Sequence, residues 1–179
     1  MTNRLIFAAT LAAGFLTALT PANAQQTAQQ PPAQGQPSPI AAAVNLADLR
    51  VLVTGLGHQI VEVRQASAQN PSPAVLGRTP EGLAYQLEGR VCDQNANCTS
   101  MMISTAYRGA ANVSDANLAI ANARFAAVRA EVDRANDLFR FSRYVILNGG
   151  VTAANVATNI SVFLSAEPAS RAIAQGQRQ

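Results

Sequence analysis

The hydrophobic positions along this chain change period several times, and each change predicts an element. Leu49, Leu52, Val53 and Leu56 recur at helical spacing between a capping residue, Asn45, and the stop Gly55-Leu56-Gly57, which predicts a helix over 47–56. From 58 to 64 the period drops to two, setting Val61 and Val63 on one face of a strand and Glu62 and Arg64 on the other. Residues 65–74, rich in proline, serine, alanine and side-chain amides, read as a loop. A hairpin follows. Leu83, Tyr85, Leu87 and Val91 alternate with Ala84, Gln86, Glu88 and Arg90, while Met101, Ile103 and Tyr107 alternate with Ser100, Met102 and Ser104. A register that sets Cys92 opposite Cys98 also pairs Leu87 with Ile103 and Leu83 with Tyr107, and puts both cysteines on the more polar face. A slip of one residue destroys that agreement.

Propensity alone reads the alanine-rich stretch 115–136 as one long helix. Period argues for a break, because Ala126, Val128, Ala130 and Val132 alternate with Ala127, Arg129 and Glu131. Beyond Asp133-Arg134-Ala135-Asn136-Asp137, the residues Phe139, Phe141, Val145 and Leu147 alternate with Arg140, Ser142 and Tyr144. The expectation is a short helix over 115–123, capped by Ser114 or Asp115, and then a second hairpin. Its register pairs Val132 with Phe139 and Glu131 with Arg140 on the opposite face. Gly149-Gly150 ends the hairpin, and 152–166 forms the last helix, with Val156, Ile160, Phe163 and Leu164 on one side. The predicted class is α+β: a single domain with an antiparallel sheet of about five strands and three helices, in the order α-β-β-β-α-β-β-α.

The ends of the chain follow other rules. Arg4 precedes an uncharged run from Leu5 to Leu19, and Pro21-Ala22-Asn23-Ala24 supplies a small-x-small cleavage pattern. Residues 1–24 therefore read as a signal peptide cut after Ala24, since a membrane span needs about 20 apolar residues. Residues 25–39, Gln- and Pro-rich and uncharged, read as a disordered spacer, and 167–179 as a flexible tail. The domain is then 40–166. The protein is expected to be periplasmic or secreted, with no membrane span.

Composition narrows the chemistry. All 13 basic residues are arginine, there are 10 acidic residues and one histidine, His58, and tryptophan is absent. That inventory supplies neither the lysine of a P-loop or Schiff-base enzyme nor a histidine-rich metal site. The 49% apolar content is dominated by alanine, which buries little surface. Cys92 and Cys98 read as a disulfide closing a turn in an oxidising compartment, with a redox pair or a metal site as the alternatives. His58 has no nucleophile-elbow sequence to serve and reads as a strand-edge histidine. Gly55-Leu56-Gly57 precedes a strand and reads as a helix stop. No metal, cofactor or catalytic residue is assigned. The one concentration of charge is the arginine-bearing second hairpin, so Arg124, Arg129, Arg140 and Arg143 form a candidate partner surface. Export argues against nucleic acid.

The order of these elements carries a resemblance. Leu52 to Val63, closing a helix at Gly57 before a strand, Cys92 with Cys98, Asn117 followed by Arg124-Phe125, and Leu147-Asn148-Gly149-Gly150-Val151 before the last helix together resemble the YbjN family. The resemblance implies a fold like that of type III secretion chaperones, and it brings no catalytic chemistry with it. Two classes of function follow. The first is a non-catalytic interaction module of the bacterial cell envelope, chaperone-like or regulatory, holding a protein partner on a sheet face or groove. The second is an envelope enzyme or small-ligand sensor. A deep pocket lined by His58 or several carboxylates would favour the second.

Overall fold

The computed structural model describes residues 39–40 and 42–177; the leader and the spacer before Pro39 lie outside the described residues. β1 (Pro39–Ile40) leads to α1 (Leu46–Gly55), close to the expected bounds. Asn45 caps this helix, its side chain accepting from the amides of Ala47 and Asp48 at 2.8 and 3.3 Å, while Asp48 accepts from the Asn45 amide at 2.9 Å. This reciprocal box satisfies amides that a helix leaves open at its first turn. Leu49, Leu52 and Val53 are the face it buries.

Four strands follow: β2 (Gln59–Arg64), β3 (Ala74–Arg78), β4 (Ala84–Cys92) and β5 (Cys98–Arg108). In β2 the expected pairing of Val61 with Val63 on one face is overturned. A bulge between Ile60 and Glu62 makes Val61 the extra residue, exposed at 44%, and Ile60 packs on the core in its place. β3 begins at the last residue of the expected loop, runs through a stretch to which no element is assigned from the sequence, and raises the main sheet from about five strands to six. The β4–β5 ladder has the expected register, Leu87 opposite Ile103 and Cys92 opposite Cys98. It runs no further than Gln86–Ser104, so the expected pairing of Leu83 with Tyr107 is not made; the Leu83 carbonyl instead accepts from the Thr79 amide at 2.9 Å, and Tyr107 pairs with Phe139.

The cysteines, paired at disulfide distance, do not lie on the polar face. Val91 adopts a left-handed conformation (φ 53°) that turns its own side chain out to 70% exposure. Cys98 is fully buried in the core, its sulfur over Gly89, where a β-carbon would overlap it.

A 3-10 turn (Ala110–Asn112) and α2 (Asp115–Arg124), capped by Ser114, carry the chain across to the second hairpin, β6 (Arg129–Asp133) and β7 (Leu138–Ile146). Its register is the expected one: Val132 faces Phe139 and Glu131 faces Arg140. β7 inserts beside β5, giving the all-antiparallel order β2-β3-β4-β5-β7-β6. β8 (Val151–Thr152) pairs with β1, and α3 (Ala153–Ala174) closes the fold.

α3 corrects the expected tail. The helix does not stop at Ala166; it continues through Pro168 for two more turns because Glu167, Ser170, Ile173 and Ala174 are buried against the sheet and α2. Burial there outweighs the amide that Pro168 lacks. All three helices cover one face of the sheet, where Leu49, Val75, Leu87, Ile103, Phe141, Ile160 and Phe163 belong to one continuous core. The described residues thus form an α+β domain of three helices on a six-stranded antiparallel sheet whose other face is bare.

Candidate functional site

The bare face is organised by register. Across its middle run Gln86, Ser104, Ser142 and Arg129, one from each of β4, β5, β7 and β6. The neighbouring rows set Glu88 beside Met102 and Tyr144, and Ala106 beside Arg140 and Glu131. Small residues on β5 between long ones on β4 and β7 make a trough of about 360 Å3 floored by Ser104, Ala106 and Ser142. Met102, Glu131 and Ser142 also border a second hollow of about 520 Å3, which opens at the β6 edge over Ala126 and Ala127. Tyr144 and Ile146, half and two-thirds exposed, make the apolar corner of the face.

Charge is distributed unevenly over it. On the β4 side, Glu88 is held by Arg90 at 3.0 Å, Arg64 at 3.5 Å and the Gln86 amide at 3.1 Å, so its charge is compensated locally. On the β6 side, Glu131 lies 3.7 Å from Arg129, and Arg140 makes no ion pair among the described residues. Tyr144 shares a hydrogen bond with Ser100, whose hydroxyl also donates to the Arg90 carbonyl at 3.1 Å, which fixes the ring on the face.

The four arginines expected to form a partner surface are therefore not one cluster. Arg129 and Arg140 share the bare face. Arg124 stands exposed in the last turn of α2. Arg143 turns toward α3, donating to Asn159 Oδ1 from Nε at 2.9 Å and Nη2 at 2.7 Å and to the Ala127 carbonyl at 3.0 Å. It ties β7 to α3 and to the loop before β6. The trough floor carries a readable sequence signal, the small residues at alternate positions of β5.

His58 is half-buried rather than a free edge residue, its Nδ1 2.9 Å from the Tyr85 hydroxyl. Burial pushes that phenol well above its ordinary range. His58 borders an open cleft of about 400 Å3 between α3 and the β3–β4 turn, with Leu83, Leu164 and Pro168 as its apolar part and Thr79, Glu81, Ser161 and Ser165 as its polar part. Glu81 is held below the usual carboxylate range by its own backbone amide and the Thr79 hydroxyl, with a smaller pull from His58. Among the described residues no cluster of histidine, cysteine or carboxylate side chains could hold a metal ion.

A third polar group lies under α3. Glu167, fully buried, accepts from the Thr105 hydroxyl at 3.3 Å, and Arg171 approaches the same oxygen at 3.4 Å while its guanidinium stacks 4.7 Å above the Tyr107 ring. The second Glu167 oxygen, the Tyr107 hydroxyl and the Ser170 hydroxyl have no hydrogen-bond partner among the described residues. Burial raises the Glu167 carboxyl above its ordinary range against the pull of Tyr107, Arg171 and Thr105, and burial with the nearby carboxylate pushes the Tyr107 phenol up to about 12. Glu167, Ser170 and Arg171 fell in the expected tail, where no period drew attention to them, while Tyr107 was read only as part of the first hairpin's alternation.

No family model matches the chain, and no curated protein or solved structure matches it either. Among the described residues no helix is long and apolar enough to cross a membrane.

Proposed function

We propose that the protein is a non-catalytic interaction module of the bacterial cell envelope, chaperone-like or regulatory, with the bare sheet face as its partner surface. The observation that carries this reading is the asymmetry of the sheet. Six strands are covered by helices on one side and leave a wide, shallow, furrowed face on the other, a shape suited to a protein segment more than to an enclosed small molecule. The nearer alternative, strand addition at an edge, is disfavoured on the β6 side, where the Asn122 side chain occupies both the N–H and the carbonyl of Ala130. Membership of the YbjN family belongs to the same proposal and is supported by the motif order. Cleavage after Ala24 and a periplasmic or secreted location are supported by the leader pattern and the cysteine pair.

The test is capture of envelope proteins by the full chain, compared with a Ser142→Trp variant that fills the trough without touching the core. Proteins recovered by the wild type and lost by the variant support the reading. Equal recovery by both refutes it. The cleft at His58 favours a second reading, a small-ligand sensor, which predicts ligand-dependent melting abolished by His58→Ala.

A further inference from the structure

We infer that the bare face takes an extended segment of a partner protein bearing a carboxylate four residues from an aromatic or branched apolar side chain. The inference rests on the proposed reading of that face and adds the chemistry of its occupant.

Arg140, Ser142 and Tyr144 alternate along β7 on the bare face, so the Cα atoms of Arg140 and Tyr144 stand about 13 Å apart at a strand's rise per residue. An extended peptide repeats that spacing between its residues i and i+4, which point to the same side. Between the two anchors the floor offers the hydroxyls of Ser104 and Ser142, neither bonded to another described residue, and the bare methyl of Ala106, so a second backbone can approach closely. At one end Tyr144, Met102, Ala126 and Ala127 supply the apolar part of the second hollow, whose rim also carries Arg129, Glu131 and Arg143. At the other end stands Arg140, partly offset by Glu131 across the ladder and by Asp133, whose carboxyl it helps to lower, yet within ion-pair distance of neither. Glu88 is saturated by two arginines, Glu131 leans to Arg129, and Arg140 is left without an ion pair among the described residues. A carboxylate there gains a charge-assisted, bidentate contact that an amide cannot supply.

The probes are blocked nine-residue peptides of threonine and serine carrying Phe-Thr-Thr-Thr-Glu at the centre, with the glutamate replaced by glutamine or lysine, or moved one residue closer. They are titrated into the isotope-labelled full chain and followed by amide shifts. The glutamate peptide should shift Arg140, Ser142 and Tyr144, and the glutamine and displaced versions should bind at least about tenfold more weakly. Arg140→Glu should reverse the preference toward lysine, and Arg140→Gln should abolish it. Equal binding of the glutamate and glutamine peptides, or an unchanged preference in Arg140→Glu, overturns the inference. A captured partner whose contact segment lacks the carboxylate also overturns it while leaving the interaction reading intact; loss of capture specificity at the face removes the reading itself.

Discussion

Glu167 Oε1 accepts a hydrogen bond from Thr105 Oγ1 at 3.3 Å inside the interface between α3 and β5, with neither side chain appreciably exposed. A carboxylate in that place loses most of its hydration and recovers only the neighbouring Tyr107 phenol, a loosely placed guanidinium and the Thr105 hydroxyl. Its folded-state pKa is therefore raised above the ordinary 4.5. The stabilisation that goes with the neutral form is complete below that ordinary value and is lost as pH rises through the folded value. Glu167→Gln should stabilise the protein by about 1–3 kcal/mol at neutral pH, with the gain shrinking toward zero in acid. Urea melts of both proteins from pH 4 to 8 measure this. A variant less stable than wild type at neutral pH would show that the Arg171 contact dominates.

The same helix shows why parts of the fold were hidden in the sequence. Leu87, Ile103, Val132 and Phe139 were legible because large apolar residues alternate with polar ones, and each hairpin had one register that paired them. β3 was not. Its side chains have no clean alternation, since Ala74 is buried on the bare side beneath the Arg64–Glu88 pair and Gly77 is kept small by the Tyr85 ring, which a β-carbon would meet at 2.8 Å. The end of α3 was hidden for a related reason, because a glutamate and a serine occupy the buried positions 167 and 170, where burial is usually announced by leucine or isoleucine, and the exposed Pro168 sits between them. Of the candidate surface, Arg129 and Arg140 were legible as charge. The trough beside Arg140 depends on strand order across β4, β5 and β7, which local pattern does not encode.

Asn122 closes the β6 edge by accepting from the Ala130 amide at 2.7 Å and donating to its carbonyl at 3.0 Å. Asn122→Ala should cost about 1–2 kcal/mol and expose an edge that pairs with other copies. Denaturant melts and light scattering against concentration check both effects; an unchanged, monomeric variant would remove the blocking role.

Gly89 is required by the neighbouring sulfur rather than by its backbone. An alanine there would overlap Cys98 Sγ and press on Pro73 at 3.2 Å, so Gly89→Ala should destabilise by about 1–3 kcal/mol. Reducing the cysteine pair should cost about 2 kcal/mol for a loop this short. Thermal melts with and without reductant measure both.

Arg143 and Arg140 should separate cleanly. Arg143→Ala removes three hydrogen bonds to α3 and to the loop before β6, and should lower stability by about 1–3 kcal/mol. Arg140→Ala, on the exposed face, should change it by less than about 0.5 kcal/mol. Similar losses at both positions would contradict the division into a structural and a surface arginine.

The central claim is that the partner meets the bare sheet face, and site-specific photocrosslinking tests it most directly. A benzophenone side chain placed at Tyr144, at Ile120 on the exposed side of α2, or at Ser161 in the His58 cleft is irradiated in intact envelopes. Adducts at Tyr144 and none at Ile120 or Ser161 are the predicted result. Adducts at Ser161 or Ile120 with none at Tyr144 would contradict the account and move the functional surface to the helical side.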